Sequence, residues 1–330
     1  MKKKILSVLI AILILLLAVG VYFYQAFKPQ VATFGITYSG RYAAYLGFDP
    51  RQVYMDILTD LKPQKMRLMA YWEDIEPERG KFDFTNMDQM LMEAARYKVD
   101  IILVLGHKQP RWPECHQPDW FNGLNPAEQN PAVLNMVKQA TEHFKQFSAI
   151  KSWQIENEPY FVFGGSCSPV AVDLVQAEIQ TVKALDNRPV VITDSGEMGN
   201  WERAADLGAD QLGVTMYRTV HSDTFGYYQY PLPPLFYRIK AGVFEKLKNK
   251  PLVGIELQAE PWFTKGVFGT DLDTQKSLMN AKIFQENVQY ARRVGFGDNY
   301  LWGVEWWYWM AKTKDDWGMW TTAKDLLAGQ

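Results

Sequence analysis

The sequence has few of the residues that metal sites and nucleic-acid surfaces require. Only four histidines occur among 330 residues, at positions 107, 116, 143 and 221, and none forms a closely spaced metal-binding pair. The formal net charge is −2, so no broad basic surface is expected. We therefore expect no metal, no cofactor and no nucleic-acid partner.

Long apolar runs are equally scarce, since only one is present. It extends from Ile5 to Tyr24 behind Lys2–Lys4, and as a helix it is long enough to cross the ~30 Å core of a bilayer. Bulky aromatics end the run where a signal peptidase would need small residues. We expect residues 1–27 to be an uncleaved single-pass anchor that contacts lipid through residues 5–24 and holds residues 28–330 outside the cytoplasm. A cleaved signal peptide, and hence a secreted protein, is the alternative.

After this run, short apolar segments alternate with longer amphipathic ones. Eight strand–helix units follow in about 300 residues, and no linker or low-complexity segment divides them. The strands are expected at residues 31–39, 64–72, 99–107, 150–158, 188–196, 209–217, 250–257 and 298–307. Eight parallel strands indicate a closed (β/α)8 TIM barrel, with an open doubly wound sheet as the structural rival.

The carboxyl ends of the strands are where such a barrel carries its functional residues. Two glutamates occur there, Glu158 after the fourth strand and Glu256 after the seventh. These strands face each other across the barrel, so the two carboxylates should share one cleft. A pair of carboxylates across a cleft is the arrangement that glycoside hydrolysis uses. Two solvated glutamates at the rim remain the alternative at this point.

Three motifs make the pattern more specific. They are "IENEP" at 155–159, "VGIELQAEPW" at 253–262 and "EPERGKFDF" at 76–84. Together they resemble the clan A glycoside hydrolases, the superfamily of cellulase-like and β-galactosidase-like barrels. The resemblance covers roughly residues 30–325 and implies a retaining enzyme that cleaves a β-linked oligo- or polysaccharide.

The resemblance also implies roles for individual residues. Glu158 would be the general acid/base and Glu256 the nucleophile. Asn157 would bind the sugar 2-hydroxyl, Arg67 would keep Glu256 ionised, and Tyr217 would donate to Glu256. Further candidates for contact with the sugar are His107, Trp306 and Trp112, with Trp302 as a second candidate for stacking.

Two other glutamates compete with these assignments. Glu156 shares strand parity with Glu158 and would lie one layer deeper, where Arg67 could be its partner. Glu260 is a rival nucleophile, although it falls beyond the expected end of the seventh strand. Glu197 and Glu305 are expected to be supporting or structural residues.

The two cysteines lie in loops that should be neighbours on the rim. Cys115 follows the third strand and Cys167 follows the fourth. Outside the cytoplasm such a pair can oxidise, so we predict a Cys115–Cys167 disulfide, against two free thiols.

Two other functions remain compatible with the sequence. The same carboxylates could serve a transglycosylase, in which another sugar replaces water as the acceptor. A barrel that has lost catalysis could instead bind glycan without cleaving it, although loss of Glu158 or Glu256 would be the simplest sign of that.

Overall fold

The computed structural model describes residues 28–162 and 167–329, together with positions 10, 12–15, 17 and 20. Most of the predicted anchor, residues 1–27, lies outside these residues. Within the described part of the chain, no helix combines the length and apolar character that crossing a bilayer demands. The anchor therefore stays a prediction.

Strands alternate with helices as the sequence predicts. The strands among the described residues are β1 (Thr33–Tyr38), β2 (Lys65–Met69), β3 (Asp100–Leu105), β4 (Ile150–Ile155), β5 (Val190–Asp194), β6 (Gln211–Met216), β7 (Thr219–Ser222), β8 (Gly226–Gln229), β9 (Leu252–Gln258) and β10 (Asp298–Trp302). Eight of them close into a parallel barrel in the order β1, β10, β9, β6, β5, β4, β3, β2, while β7 and β8 form a separate antiparallel hairpin. The predicted TIM barrel is thus confirmed.

The helices cover the outside of the barrel. They are α1 (Gly40–Tyr45), α2 (Pro50–Asp56, continued by a π-helical turn Ile57–Leu61), α3 (Trp72–Ile75), α4 (Thr85–Arg96), α5 (Pro126–Phe144), α6 (Val172–Leu185), α7 (Trp201–Ala205), α8 (Pro234–Lys248), α9 (Gly266–Gly269), α10 (Leu272–Leu278), α11 (Ala281–Val294), α12 (Val304–Lys314) and α13 (Gly318–Ala328). Helix α2 begins with Asp49 as its N-cap and Pro50 in its first turn, which is a favoured position for proline.

The last barrel strand is shorter than its apolar pattern indicates. The sequence predicts a strand over 298–307, but β10 ends at Trp302 and α12 begins at Val304. Gly303 makes the turn between them with φ +134°, and a Cβ there would lie 2.6 Å from the Cβ of Glu260. Trp306 is therefore a helical residue rather than a strand end.

The interior of the barrel is apolar in its lower part and becomes polar toward the carboxyl ends of the strands. Ile102, Val253, Ile255 and Tyr300 pack together inside the strands as a small cluster of their own. Fully buried Arg67 also lies inside the barrel, and its hydrogen bonds to β4 and β9 lead toward the carboxyl ends of the strands. The buried charge of Arg67 thus supports the polar residues that the sequence predicts at the rim.

Candidate active site

Glu256 reaches the mouth of the barrel because β9 contains a bulge. Val253 and Ile255 both point inward, so strict alternation would turn Glu256 outward. β9 has one residue more than each of its neighbours here, since the consecutive residues Val214 and Thr215 of β6 pair with Gly254 and Glu256, and a register shift also occurs against β10. The extra residue restores the inward direction at Glu256, and bulges are common beside active sites.

Two side chains hold the carboxylate of Glu256. Arg67 Nη1 donates to Oε1 at 2.7 Å, and the Tyr217 hydroxyl donates to Oε2 at 2.9 Å. These are the two contacts that the resemblance implies. Glu256 is only 3% exposed, so both contacts are charge-assisted or neutral hydrogen bonds shielded from solvent.

Arg67 also fixes Asn157. Its Nη2 donates to Asn157 Oδ1 at 2.7 Å, and its Nε donates to Gln154 Oε1 at 2.8 Å. Because the amide oxygen of Asn157 faces Arg67, the amide nitrogen faces away from it. A donor is therefore held in a fixed direction one residue before Glu158.

Glu158 lies beyond the end of β4 in a left-handed backbone conformation, with φ +43°. Its amide donates to Thr193 Oγ1 at 2.8 Å, and the Thr215 hydroxyl lies 3.5 Å from its Oε1. Burial raises its pKa well above the usual range for a carboxyl, and the nearby charges of Glu256 and Glu114 raise it further. A strained backbone and a carboxyl that retains its proton are both typical of functional sites.

Glu197 supports this arrangement from the loop after β5. It accepts hydrogen bonds from the Tyr217 amide, from the Tyr237 hydroxyl at 2.8 Å and from Thr215 Oγ1 at 2.9 Å. Burial raises the pKa of Glu197. Its contacts position the residues on β6, which agrees with the supporting role expected for it.

The expectation for Glu156 is right about its burial and wrong about its direction and its partner. The strand ends at Ile155, and Glu156 has φ +55°, so the shared parity with Glu158 does not apply. Its carboxylate accepts from the amides of His107 at 3.0 Å and Lys108 at 2.7 Å rather than from Arg67. Gly106 makes room for it, because a Cβ there would lie 2.6 Å from the carboxyl carbon.

Of the predicted sugar contacts, Trp306 is wrong and His107 stays a prediction. The His107 ring lies beside Phe121, and its Nδ1 is 3.3 Å from Oε1 of Glu156. Trp306 is completely buried in α12, where its Nε1 donates to Gln275 Oε1 at 2.8 Å. Trp112 is 63% exposed in the loop after β3 and stays a candidate for stacking.

A second charged cluster in the mouth is missing from the sequence-based prediction. Arg111, in the loop after β3, forms ion pairs with Glu260 and Glu305. Its guanidinium carbon lies 4.0 Å from the ring centroid of Tyr42 and 4.0 Å from that of Trp302. Glu260 is therefore occupied by Arg111, whereas Arg67 and Tyr217 hold Glu256. No local pattern identifies this cluster, because its members come from four separate strand–helix units.

The predicted disulfide is present. Cys115 and Cys167 are bonded, with a Cα–Cα distance of 5.3 Å, and they join the loops after β3 and β4. Among the described residues, one group of side chains has the spacing of a metal site, and it consists of His107 and these two cysteines. Because both sulfur atoms are used in the disulfide, the group offers no thiolate ligand.

Comparisons with known proteins agree with this geometry. Residues 68–166, which include β3, β4 and Glu158, match the model of glycosyl hydrolase family 10. No curated protein matches the sequence.

Several solved structures share the fold. Xylanase 10B from Thermotoga petrophila, in complex with xylobiose, is 14% identical over 90% of this chain and 94% of its own, with a TM-score of 0.58. A GH5_18 protein from Bifidobacterium longum is 12% identical over 82% of this chain and 69% of its own, with a TM-score of 0.59. A family 39 glycoside hydrolase from Bacteroides cellulosilyticus is 14% identical over 82% and 56%, with a TM-score of 0.53.

The family model over residues 68–166 and the shared fold agree with the resemblance to clan A glycoside hydrolases that the motifs predict, and with glycoside hydrolase as the enzyme class. At 12–14% identity, the solved structures establish the fold alone. The roles of individual residues rest on the geometry described above.

Proposed function

We propose that this protein is a retaining glycoside hydrolase that cleaves a β-linked oligo- or polysaccharide, with Glu256 as nucleophile and Glu158 as acid/base. The observation that carries the proposal is the difference between the two carboxyl groups. Both carboxyl groups are buried, but Arg67 and Tyr217 contact Glu256 directly, whereas burial and the charge of Glu256 raise the pKa of Glu158. Environments that favour one ionised and one protonated carboxyl are what this chemistry needs.

In the first step the protonated Glu158 donates its proton to the glycosidic oxygen. The carboxylate of Glu256 attacks the anomeric carbon, the bond to the leaving group breaks, and a glycosyl ester forms on Glu256. The Tyr217 hydroxyl and the Arg67 guanidinium then remain beside the ester and stabilise the carboxylate when it leaves again.

In the second step the ionised Glu158 takes a proton from water, and the water oxygen attacks the anomeric carbon. The ester bond to Glu256 breaks, which releases the sugar with its configuration retained and restores both carboxyl groups. The amide nitrogen of Asn157 is placed to donate to the sugar 2-hydroxyl throughout, a contact that strengthens in the transition state.

We also propose that the reaction takes place outside the cytoplasm, on an enzyme that residues 1–27 hold at a membrane. Lys2–Lys4 and the apolar run over residues 5–24 support this location, as does the disulfide, which persists in oxidising compartments.

The test is a set of single substitutions assayed against a panel of aryl β-glycosides. Glu256→Ala should have no detectable turnover, and Glu158→Gln should lower kcat by about 10²–10⁴-fold on substrates with poor leaving groups. A 2-deoxy-2-fluoro glycoside inhibitor should label Glu256. Glu245→Gln, which changes an exposed glutamate on α8, is the matched control and should retain full activity.

Full activity in Glu256→Ala or in Glu158→Gln, with unchanged melting temperature, would refute the assignment. Glycan binding by the wild type without labelling or turnover would instead favour a non-catalytic binding protein.

A further inference from the structure

We propose that Arg111 closes one end of the catalytic cleft and thereby restricts the enzyme to the terminal sugar of a glycan chain. This inference rests on the proposed function, because it concerns where the sugar bound to Glu256 can extend. It assigns a specificity-determining role to a residue outside the carboxylate pair.

The guanidinium of Arg111 fills the space between two aromatic side chains of the rim. Tyr42 follows β1, and Trp302 is the last residue of β10, which is the neighbour of β1 in the barrel. The guanidinium carbon is 4.0 Å from each ring centroid, which is the distance of direct stacking. The ring faces on which a sugar could stack are therefore covered by a cation from the loop after β3.

Two ion pairs fix the position of the Arg111 guanidinium. Arg111 is 9% exposed and forms ion pairs with Glu260 and Glu305, which are 5% and 1% exposed. Moving the side chain away would leave two buried carboxylates without their counter-ion, and an uncompensated buried charge is strongly unfavourable. For this reason we expect the Arg111 side chain to keep its position when substrate binds, and we call it the wall of the cleft.

Hydrogen bonds and the disulfide also fix the backbone of the loop after β3, which carries Arg111. The carbonyl of Pro110 accepts from the Tyr71 hydroxyl at 3.0 Å, and the carbonyl of Arg111 accepts from the Glu114 amide at 2.8 Å. His116 Nε2 lies 3.0 Å from the same carbonyl. The disulfide at Cys115 ties the segment to the loop after β4.

The wall stands on the glycone side of the cleft. The leaving group must lie near Glu158, which protonates its oxygen, so the glycone extends from Glu256 in the opposite direction. Glu256 is on β9, and the strands that follow it around the barrel are β10 and β1. Trp302 ends β10 and Tyr42 lies in α1, directly after β1, and Arg111 lies between the two rings. A second sugar unit on the glycone would meet the guanidinium instead of open space.

The inference predicts a measurable preference between substrates. The probes are 4-nitrophenyl β-glycosides of the sugar that the panel identifies, as monosaccharide and as the β-linked disaccharide. The wild type should release nitrophenol directly from the monosaccharide with a kcat/KM at least about tenfold higher than from the disaccharide.

Removal of the Arg111 side chain should weaken or abolish this preference. In Arg111→Ala/Glu260→Gln/Glu305→Gln the buried charges are removed together, which avoids the misfolding that unpaired glutamates could cause. We expect kcat/KM for the disaccharide relative to the monosaccharide to rise by about tenfold or more. Arg79→Ala, which removes an exposed arginine near Trp120, is the matched control and should leave the ratio unchanged.

Direct release from the disaccharide by the wild type at the rate of the monosaccharide overturns the inference and leaves the proposed function standing. An unchanged ratio in the folded triple variant overturns it as well. Failure of the wild type to hydrolyse any member of the panel refutes the proposed function, and the inference falls with it.

Discussion

Charges of both signs surround the carboxyl group of Glu158. Burial has the largest effect on its pKa and raises it, and Glu256 and Glu114 add to the increase. Lys108 acts in the opposite direction and lies 3.3 Å from Glu114, while its Nζ also donates to the carbonyl of Glu158 at 2.8 Å. The loop after β3 therefore supplies both a negative and a positive charge that adjust the acid/base.

We expect Glu114→Gln to lower the pKa of Glu158, because it removes a like charge and leaves Lys108 in place. The alkaline limb of the kcat/KM profile should then move to lower pH, by about 0.5–1 unit, since Glu158 must be protonated to donate. Profiles of wild type and variant on a substrate with a poor leaving group measure this shift. An exposed counterpart, Glu78→Gln, should leave the limb where it is. An alkaline limb that stays fixed or moves upward in Glu114→Gln contradicts the prediction.

Individual site residues were predictable to the extent that local motifs mark them. The Asn-Glu-Pro motif and the strand pattern place Glu158 and Glu256 at the rim, and the contacts of Arg67 and Tyr217 with Glu256 follow from the resemblance. Arg111 was not predictable, because its partners Glu260, Glu305 and Tyr42 are brought together only by closure of the barrel. Trp306 was misassigned because the apolar run over 298–307 does not reveal that the strand ends at Trp302 and a helix begins at Val304.

At the scale of elements, the eight barrel strands were predictable from continuous apolar runs, but their ends were not. The direction of Glu256 depends on a bulge in β9, and alternation alone gives the opposite direction. The region after β6 contains the β7–β8 hairpin, which its long aromatic sequence did not indicate. The amphipathic segment over 274–295 forms two helices, α10 and α11, because the Asn280 side chain caps a new helix by accepting hydrogen bonds from the amides of Lys282 and Ile283.

Helix α6 carries a buried carboxyl group against the barrel. Neither oxygen of Glu178 accepts a hydrogen bond from a described donor, and burial together with the charge of Glu156 raises its pKa well above the usual range. Although burial alone would raise the pKa of Glu156, contact with His107 lowers it. Glu178 thus retains the proton of the pair, and Glu156 is the ionised partner.

This arrangement makes stability depend on pH. The folded protein keeps a proton on Glu178 that the unfolded chain releases above its ordinary pKa near 4.3, so stability falls as pH rises from there toward the folded pKa. Glu178→Gln keeps the shape and a donor toward Glu156 but removes the titration. We expect its melting temperature to exceed that of the wild type by about 2–5 °C at pH 7 and to match it below pH 4.

Thermal unfolding across pH 4–8 measures this difference, with Glu245→Gln on the exposed surface of α8 as the control for the substitution itself. A variant that is less stable than the wild type at pH 7 would show that Glu178 is ionised in the fold.

In the whole molecule, the segment that leads into β1 and the catalytic mouth lie at opposite ends of the barrel. The Gln30 amide donates to the carbonyl of Arg292, and β1 begins at Thr33, on the amino-terminal side. Its six residues span roughly 20 Å before the rim is reached. The alternation of eight strand–helix units predicts this polarity, since all parallel strands carry the functional face at their carboxyl ends.

A membrane anchor at residues 1–27 would therefore hold the enzyme by the end of the barrel that is remote from catalysis. The mouth would face away from the lipid surface, toward glycan in the surrounding space, and the anchor would fix location without forming part of the site. We expect a chain that lacks residues 1–27 to be recovered free of membranes, while the full chain stays with them after an alkaline carbonate wash.

The two forms should have kcat/KM values on a soluble aryl glycoside within about twofold of each other, because both carboxylates, Arg67 and Tyr217 are held by contacts within the barrel. Melting temperatures of both forms show whether the comparison is between folded proteins. Loss of activity in a folded, truncated chain would mean that residues 1–27 contribute to the active site, which places them beside the mouth instead of at the opposite end.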